Sequence, residues 1–354
     1  MRALIGNRFG KILTEVIADV GAVSWILDGI GRTRVTLPVT GAKATETNLQ
    51  IGNRVYLEMD HGLPAWGGVL DMPRVWSQKT VGTACYGIEQ LFQTRCTEKN
   101  DAFYDRPAGV IFRELLLKAE AQDPLGITIG SIWDGGRPHW PRYHYKSLWY
   151  VLDYSLKRLE RCDFRFTPYI ADGHIKFRAD FYQMAGVDRS ASVALVEGRN
   201  TAAGLRMEEQ GSIVNTHYAV SEGSTWGPER TVVAARDAES VAKYGLRATG
   251  KVYPGVSVPS TLEMHVRNVL DTFSAPRRIF SLEVTNHAPG TFADYDLGDT
   301  VACVLPSFGF GGFDGTVRIL AREYNPGTGT CRLVVEEPHS VEPWIYQDNA
   351  EVAE

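Results

Sequence analysis

The sequence predicts a β-rich α+β fold with two to three domains. Three observations predict it: period-two alternation of apolar and polar residues at both ends of the chain, a helical period in the middle, and abundant glycine, tyrosine and phenylalanine. The chain has 354 residues, of which 35 are Gly, 15 are Tyr and 14 are Phe. At roughly 150 residues per domain, this length corresponds to two or three domains. Residues typical of turns and strands favour sheets over a helical bundle.

The first hundred residues are predicted to form a β meander. In one alternating segment, Val55 and Leu57 share a strand face while Tyr56 lies on the other. A meander buries its apolar face by closing into a small barrel or a sandwich. The predicted strands cover 34–40, 53–60, 66–71 and 74–79.

The middle of the chain changes to a helical period. One helix is predicted over 107–122, with Asp105 as a candidate cap, and a second over 147–161. In the second, Leu148 and Leu152 share an apolar face. A hairpin is then predicted, with strands over 163–170 and 175–181 and a turn at Asp172-Gly173. Residues 134–145, rich in proline and aromatic side chains, are predicted to form an ordered loop.

The last third contains two shorter helices and a return to strands. Asp237 is predicted to cap a helix that ends before Gly245. Ser260 and Glu263 have the spacing of a capping box for a helix that runs to Phe273. The tail from 338 to 354 is acidic. The predicted strands cover 280–285, 300–305, 316–324 and 331–336.

A short pattern occurs twice in the chain. Ile51-Gly52-Asn53-Arg54-Val55 opens a predicted strand near the N-terminus, and Leu297-Gly298-Asp299-Thr300-Val301 opens one near the C-terminus. Each is followed by a strand that begins with glycine, at 67–71 and 315–319. The pattern is either a common turn at the start of a strand or the mark of two related β modules in one chain.

Charge and cysteine usage exclude several classes of protein. The net charge of −5 argues against a basic nucleic-acid surface over the whole chain. No apolar run approaches the length of a membrane span, and we expect neither a signal peptide nor stable membrane insertion. The cysteines lack the C-x-x-C spacing of zinc, iron–sulfur or thioredoxin-like sites, so we expect reduced, mostly buried thiols. They are Cys85, Cys96, Cys162, Cys303 and Cys331.

The sequence predicts no catalytic, cofactor or metal residue. Two carboxylates of a glycosidase need only meet in space, but nothing in the spacing of the acidic candidates marks a site. The glycine-rich run 309–315 fails the G-x-G-x-x-G spacing and leads into a strand, so it lacks the helix N-terminus of a phosphate site. The acidic candidates are Glu89, Glu98, Asp101, Asp105 and Asp153.

For the histidines and for the aromatic residues near 133–149, the sequence allows either a binding role or a packing role. His139 and His144 have the sequence separation to meet at a metal, but a packing or surface role is favoured, and His61 and His174 lack ligand spacing. The aromatics near residues 133–149 either stack sugars or bases or pack at a domain junction, which is the favoured interpretation. These aromatics are Trp133, Trp140, Tyr143, Tyr145 and Trp149.

A collinear series of weak motifs resembles the hub proteins of phage tail tips and baseplates, including the hub portion of siphophage tail-associated lysins. The series covers most of residues 50–337, and none of its motifs is a catalytic signature. Its segments are IGNRVYLEMD, AWGGVLDMPRV, YGIEQLFQTR, AGVIFRELLLKA, LWYVLDYSLKRLERCDFRF, GVDRSASVALVEGRN, IVNTHYAV, DAESVAKYGLR and LGDTVACVLP.

The resemblance implies a particular organisation. It implies two β-barrel domains that resemble the tail-tube protein, with intervening and inserted α/β segments. The expected parts are a barrel over 1–100, an α/β domain over 101–205, a second barrel over 206–225 and 276–337, an inserted helical segment over 226–275, and the acidic tail.

The resemblance also implies partners. We expect a homotrimer in the virion tail tip, present in the host cytoplasm during assembly, that adapts a six-fold tube to a three-fold tip. Expected partners are a distal tail or tail-tube protein, the C-terminus of the tape-measure protein and a tail fibre or spike. DNA is expected only in transit through the lumen, and no cofactor is expected. Because the sequence ends soon after the second barrel, we expect no lysin activity.

Two other functions stay open from the sequence. One is an enzyme, a hydrolase of cell wall or polysaccharide with an unrecognised acid pair. The other is a carbohydrate-binding receptor module that uses the aromatics near residues 133–149.

Overall fold

The computed structural model describes residues 1–136, 138–157, 162–202, 206–221, 230–253, 256, 258–308, 311–337 and 345–347. The chain divides into two compact units. The first comprises Met1–Leu205 and Ser281–Val335, and the second comprises Arg206–Phe280 and Glu336–Glu354. Sheets predominate in both, which confirms the prediction of a β-rich α+β fold.

The N-terminal part of the first unit is an antiparallel sheet. Its strand order is β2-β1-β6-β7-β8-β5-β3, and β2 and β3 are its two edge strands. Alternate residues such as Ile5, Val55 and Leu57 are fully buried in its core, as period-two alternation requires. The strands of this sheet are β1 (Arg2–Gly6), β2 (Ile12–Ile17), β3 (Asp19–Val20), β5 (Arg32–Pro38), β6 (Arg54–Leu57), β7 (Trp66–Trp76) and β8 (Thr80–Tyr86); β4 (Val23–Ile26) lies outside it.

The prediction of separate strands over 66–71 and 74–79 was wrong. The structure has one long strand, β7, whose register with β8 shifts between Asp71 and Arg74. Pro73 lies in the shifted stretch and has no N–H for the ladder. A local bulge therefore interrupts the pairing without ending the strand.

The next elements form the α/β part of the first unit. They are a 3₁₀ helix (Ile88–Gln93), β9 (Asp101–Ala102), α1 (Ala108–Gln122), β10 (Ile127–Ile132), β11 (Arg142–Tyr143), a π-helix (Tyr150–Leu156), β12 (Asp163–Ala171) and β13 (His174–Tyr182). Strands β10, β13 and β12 form a sheet, and β9 pairs with β11. The buried core of this part includes Phe112 from α1 and Phe164, Phe177 and Phe181 from the sheet.

Two local predictions in this part need correction. Residue Pro107, not Asp105, is the N-cap of α1, and no side chain caps the helix. The helix predicted over 147–161 contains the π-helix, and its end at 158–161 lies outside the described residues. The hairpin prediction is confirmed: Ile170 pairs with Ile175, and Asp172 and Gly173 both have positive φ, 52° and 70°. Positive φ at both turn residues suits the twist of a two-residue hairpin.

The remaining elements are β14 (Ala194–Val196), β15 (Arg206–Gln210), β16 (Thr216–Ser221), β17 (Val232–Arg236), α2 (Ala238–Tyr244), β18 (Ala248–Tyr253), α3 (Pro259–Phe273), β19 (Arg277–Val284), β20 (Thr300–Leu305), β21 (Phe313–Asn325), β22 (Thr330–Glu336) and β23 (Ile345–Gln347). In the first unit, a second large sheet includes the consecutive neighbours β20, β21 and β22, with β14 beside β20. Strand β4 also pairs with β21, with Val23 opposite Tyr324 and Ile26 opposite Ala321. An N-terminal strand therefore completes a C-terminal sheet.

The second unit contains a four-stranded sheet with a helix packed on it. The strand order is β18-β16-β17-β23. Its core is formed by apolar residues from β16, β17 and α3: Ala219, Val233, Ala235, Leu262, Val266 and Leu270.

One cap prediction in the second unit is confirmed and one was wrong. The Asp237 carboxylate accepts a 2.9 Å hydrogen bond from the Ser240 N–H at the start of α2, and Gly245 follows the helix with φ 75°. The capping box at Ser260 is not formed, because α3 begins one residue earlier at Pro259 and has Val258 as its N-cap. Proline is well suited to a first helical position, where no N–H is needed.

Candidate functional site

A buried network of charged side chains joins four distant segments of the first unit. Asp28 follows β4, Lys157 follows the π-helix, Asp163 begins β12 and Arg318 lies on β21. Asp28 and Asp163 are 7% and 5% exposed. We call this set the Asp28–Asp163 network.

The two carboxyl groups of the network are close enough for the Asp163 carboxyl to raise the pKa of Asp28. Asp28 also accepts a 2.5 Å hydrogen bond from the Phe164 N–H, and Lys157 Nζ lies 3.2 Å from its second oxygen. Asp163 accepts a 2.6 Å bond from the Ala185 N–H and pairs with the Arg318 guanidinium. Each carboxyl group is thus engaged by the protein itself.

The pKa of Asp28 is raised to about 7; burial is the largest cause, and the neighbouring Asp163 carboxyl acts in the same direction. The Lys157 ammonium and the Phe164 N–H oppose this rise. Because an apolar environment disfavours the ionised form, Asp28 holds its proton close to neutral pH. The arrangement holds two carboxyl groups together in the core and links the segments that carry them.

The second large sheet contains a repeat of the hydrogen bonding found in the first. In the first, the Gly52 N–H donates to the Leu70 carbonyl (2.8 Å) and the Leu70 N–H donates to the Asn53 carbonyl (2.7 Å). In the second, the Gly298 N–H donates to Ile319 (2.8 Å) and the Ile319 N–H donates to Asp299 (2.9 Å). The two glycines have φ values of 87° and 88°. The repeated sequence pattern therefore has the same local structure at both places.

No family model and no curated protein matches this sequence. Several solved structures do match this chain. Prophage tail protein gp18 from Listeria monocytogenes EGD-e is 13% identical, with 96% of this chain and 95% of that chain covered and a TM-score of 0.60. The 43 kDa tail protein of prophage MuSo2 from Shewanella oneidensis is 13% identical, with 97% and 100% covered and a TM-score of 0.63.

A third similar structure comes from a secretion system. The E. coli c3393 protein is described as a component of the type VI secretion system with structural similarity to T4 bacteriophage tail proteins gp27 and gp5. It is 13% identical, with 92% of this chain and 74% of that chain covered and a TM-score of 0.54. This chain has the fold of phage tail proteins.

The acidic residues that the sequence offered as catalytic candidates each make their own local contacts. Asp101 pairs with Lys118 and accepts from the Glu98 N–H, and Asp153 lies 3.8 Å from Lys157. Asp105 is an exposed turn residue with φ 55°. Glu89 is half-buried, and burial raises its pKa to about 8. The buried carboxyl pair is formed by Asp28 and Asp163, which sequence reasoning missed because they lie on distant segments.

The histidines of this chain that were considered as metal ligands make local contacts. His144 and His174 contact the carbonyl oxygens of Lys99 and Asp172, His139 pairs through its backbone with Arg106, and the His61 ring lies 6.4 Å from the Tyr324 ring. Within the part of the chain that the structure describes, no three His, Cys, Asp or Glu side chains group as metal ligands.

No disulfide joins any of the five cysteines of this chain, all of which the structure describes. Cys96 is exposed and the other four are buried. Burial raises the pKa of Cys85, Cys303 and Cys331 to about 12, so these thiols stay protonated and unreactive at neutral pH.

Two further sequence observations concern loops and membranes. Gly309 and Phe310 lie outside the described residues, and the rest of the glycine-rich run enters β21 at Phe313. Among the helices of the described residues, none combines the length and apolarity needed to cross a bilayer.

Substitution of Asp28 by asparagine is expected to remove a pH-dependent loss of stability. The unfolded carboxyl ionises near its ordinary pKa of 3.8 and the folded one near 7, so wild-type stability falls as pH rises between these values. We expect Asp28→Asn to match wild type at pH 4 and to exceed it by about 1–3 kcal/mol at pH 8. Urea unfolding at both pH values measures the free energy of unfolding of the two proteins. If the difference between them is the same at pH 4 and pH 8, the prediction is contradicted.

Proposed function

We propose that this chain is a structural protein of a phage tail and forms its hub. The observation that carries the proposal is the repeated hydrogen bonding at Gly52 and Gly298, in a chain whose fold matches tail proteins over nearly its whole length. It supports two related β modules in one chain. We take these modules to be the two tube-like barrels expected over 1–100 and over 206–225 with 276–337.

Two modules per chain suit an adaptor between different symmetries. A homotrimer of such chains presents six similar modules on one face and three-fold symmetry on the other. The six modules meet the tail-tube or distal tail protein, and the opposite face meets a fibre or spike. The hub holds the end of the tape-measure protein and opens for DNA. With a net charge of −5, an acidic lumen repels phosphate groups and prevents DNA from sticking.

The proposed role is structural and not enzymatic. The Asp28–Asp163 network supports this, because both carboxyl groups are buried and bound by protein donors. A hydrolase needs a carboxyl pair that flanks a substrate bond. The alternative predicts turnover of peptidoglycan or polysaccharide that is lost on single Asp or Glu substitutions.

Labelled virions and solution mass test the proposal. We expect an affinity tag on this chain to be located at the tail tip by electron microscopy, and mass photometry of the assembled tip complex to give three copies. Purified protein is expected to leave a peptidoglycan suspension turbid. A tag along the tail shaft or on the capsid, or a copy number of six, contradicts the hub. Clearing of the suspension that Asp28→Asn abolishes favours the enzyme.

A further inference from the structure

A two-stranded ribbon in the first unit presents an aromatic pair on its outer face. Asp101 pairs with Tyr143 and Ala102 with Arg142 in antiparallel register, and the Phe103 N–H donates to the Pro141 carbonyl (3.0 Å). Continued by two residues beyond the paired ones, this register brings Tyr104 level with Trp140. Residues opposite each other in an antiparallel pair share a face of the sheet.

The outer face of this ribbon is open and the inner face is packed. Tyr104 and Trp140 are 58% and 51% exposed, and the exposed Arg142 places its guanidinium over the Tyr104 ring at 5.6 Å from the centroid. On the inner face, Phe103 and Tyr143 are each 4% exposed. We call the outer face the Tyr104–Trp140–Arg142 surface.

The inner face holds the surface in place. The Phe103 and Tyr143 rings meet edge to face at 6.2 Å, and the Tyr143 hydroxyl lies 2.8 Å from Ser155 Oγ. Lys118 lies over the Phe103 ring and pairs with Asp101. An ordered platform loses little conformational entropy when a partner binds.

The charge around the surface is unbalanced. Among the described residues, Arg142 makes a cation–π contact but no ion pair with a carboxylate. Residues 98–106 and 139–146 carry four exposed cations against two exposed carboxylates, Glu98 and Asp105. The four cations are Lys99, Arg106, Arg142 and Lys146.

We propose that the Tyr104–Trp140–Arg142 surface docks a segment of another tail protein that presents a carboxylate beside an apolar side chain. Trp, Tyr and Arg are the residues that most often dominate the binding energy of protein interfaces. The carboxylate pairs with Arg142 and the neighbouring cations, while the apolar side chain packs on Trp140. This inference rests on the proposed function, because the partner is part of the same tail.

Photocrosslinking in assembled tails tests the inference. Tyr104→p-benzoylphenylalanine is introduced into the chain in the phage that encodes it, and purified tails are irradiated. We expect a crosslink to a second tail protein, at a peptide that contains Asp or Glu. Adding Arg142→Glu is expected to reduce the yield at least tenfold, whereas Arg142→Lys keeps most of it. The control places the same photoreactive residue at Tyr218, which is 39% exposed in the second unit. The yield of its crosslinked products is expected to be unchanged by Arg142→Glu.

The outcomes separate the inference from the proposed function. Tails that contain the chain but give no crosslink from position 104 overturn the inference alone, as does a crosslink that Arg142→Glu leaves unchanged. Loss of tail binding to purified host glycan on Trp140→Ala, without a protein crosslink, assigns the surface to sugars and also overturns it. Tails that lack the chain altogether overturn both. Thermal unfolding of each purified variant confirms that it is folded.

Discussion

Replacement of Arg318 by alanine is expected to lower the free energy of unfolding by about 3–5 kcal/mol, as is typical when one partner of a buried ion pair is removed. The Arg318 guanidinium pairs with Asp163 and also donates to the carbonyl oxygens of Ala185 (3.1 Å) and Gly298 (3.2 Å). Its loss leaves the Asp163 carboxyl buried beside that of Asp28. Urea unfolding monitored by tryptophan fluorescence measures the change.

An exposed arginine with two carboxylate partners provides the matched control. Arg2 pairs with Glu15 at 2.9 Å and Glu58 at 2.7 Å, but all three side chains are about half exposed. Because water and salt screen such pairs, Arg2→Ala is expected to lower the free energy of unfolding far less than Arg318→Ala does. A second substitution, Asp163→Asn, removes the charge that Arg318→Ala leaves unpaired and should recover part of its cost. Equal effects of Arg318→Ala and Arg2→Ala contradict this account of the network.

Features set by neighbours in the sequence could be predicted. The hairpin around Asp172-Gly173 follows from alternating strands and a turn that tolerates positive φ. The cap at Asp237 needs only residues within one helical turn. The repeated pattern at Gly52 and Gly298 is likewise local, and its two copies share the same hydrogen bonds. In each case, the interactions that decide the structure lie within a few consecutive residues or reach only to the next strand along the chain.

Features that join distant segments could not be predicted. Strand β4 has only four residues, and it lies in its sheet because it pairs with β21 almost three hundred residues later. The Asp28–Asp163 network has the same origin, because the Asp28 carboxylate reaches the Phe164 N–H across 136 positions. No spacing rule along the chain relates such partners.

The aromatic residues near 133–149 show the same limit for surfaces. The sequence marks them as a group but does not separate packed rings from open ones. Tyr143 is buried, whereas Trp140 is half exposed. What separates them is the pairing of 101–102 with 142–143, continued by the hydrogen bond from Phe103 to Pro141, which turns alternate side chains to opposite faces. Tyr104 belongs to the same surface although it lies outside that sequence cluster.

The two repeated glycines have the same backbone conformation but different surroundings. Gly52 and Gly298 have φ values of 87° and 88°, which residues with a side chain rarely adopt. A Cβ atom at Gly52 meets nothing within 4 Å. A Cβ atom at Gly298 lies 2.5 Å from the Ala185 carbonyl oxygen. Comparing alanine substitutions at the two glycines therefore separates two contributions to the loss of stability: the unfavourable backbone conformation and the close approach to a neighbouring backbone.

Alanine at position 298 is expected to cost about 3–5 kcal/mol, and alanine at position 52 about 1–2 kcal/mol. Gly52→Ala carries only the conformational cost of a left-handed residue. Gly298→Ala adds overpacking against the fixed Ala185 backbone and disturbs Asp299, which accepts from the Val187 N–H and pairs with Arg189 at 2.8 Å. Chemical unfolding of both variants measures the difference. Equal costs at the two positions mean that the backbone at Ala185 yields without loss, which contradicts the close packing of the second module against the segment around Ala185.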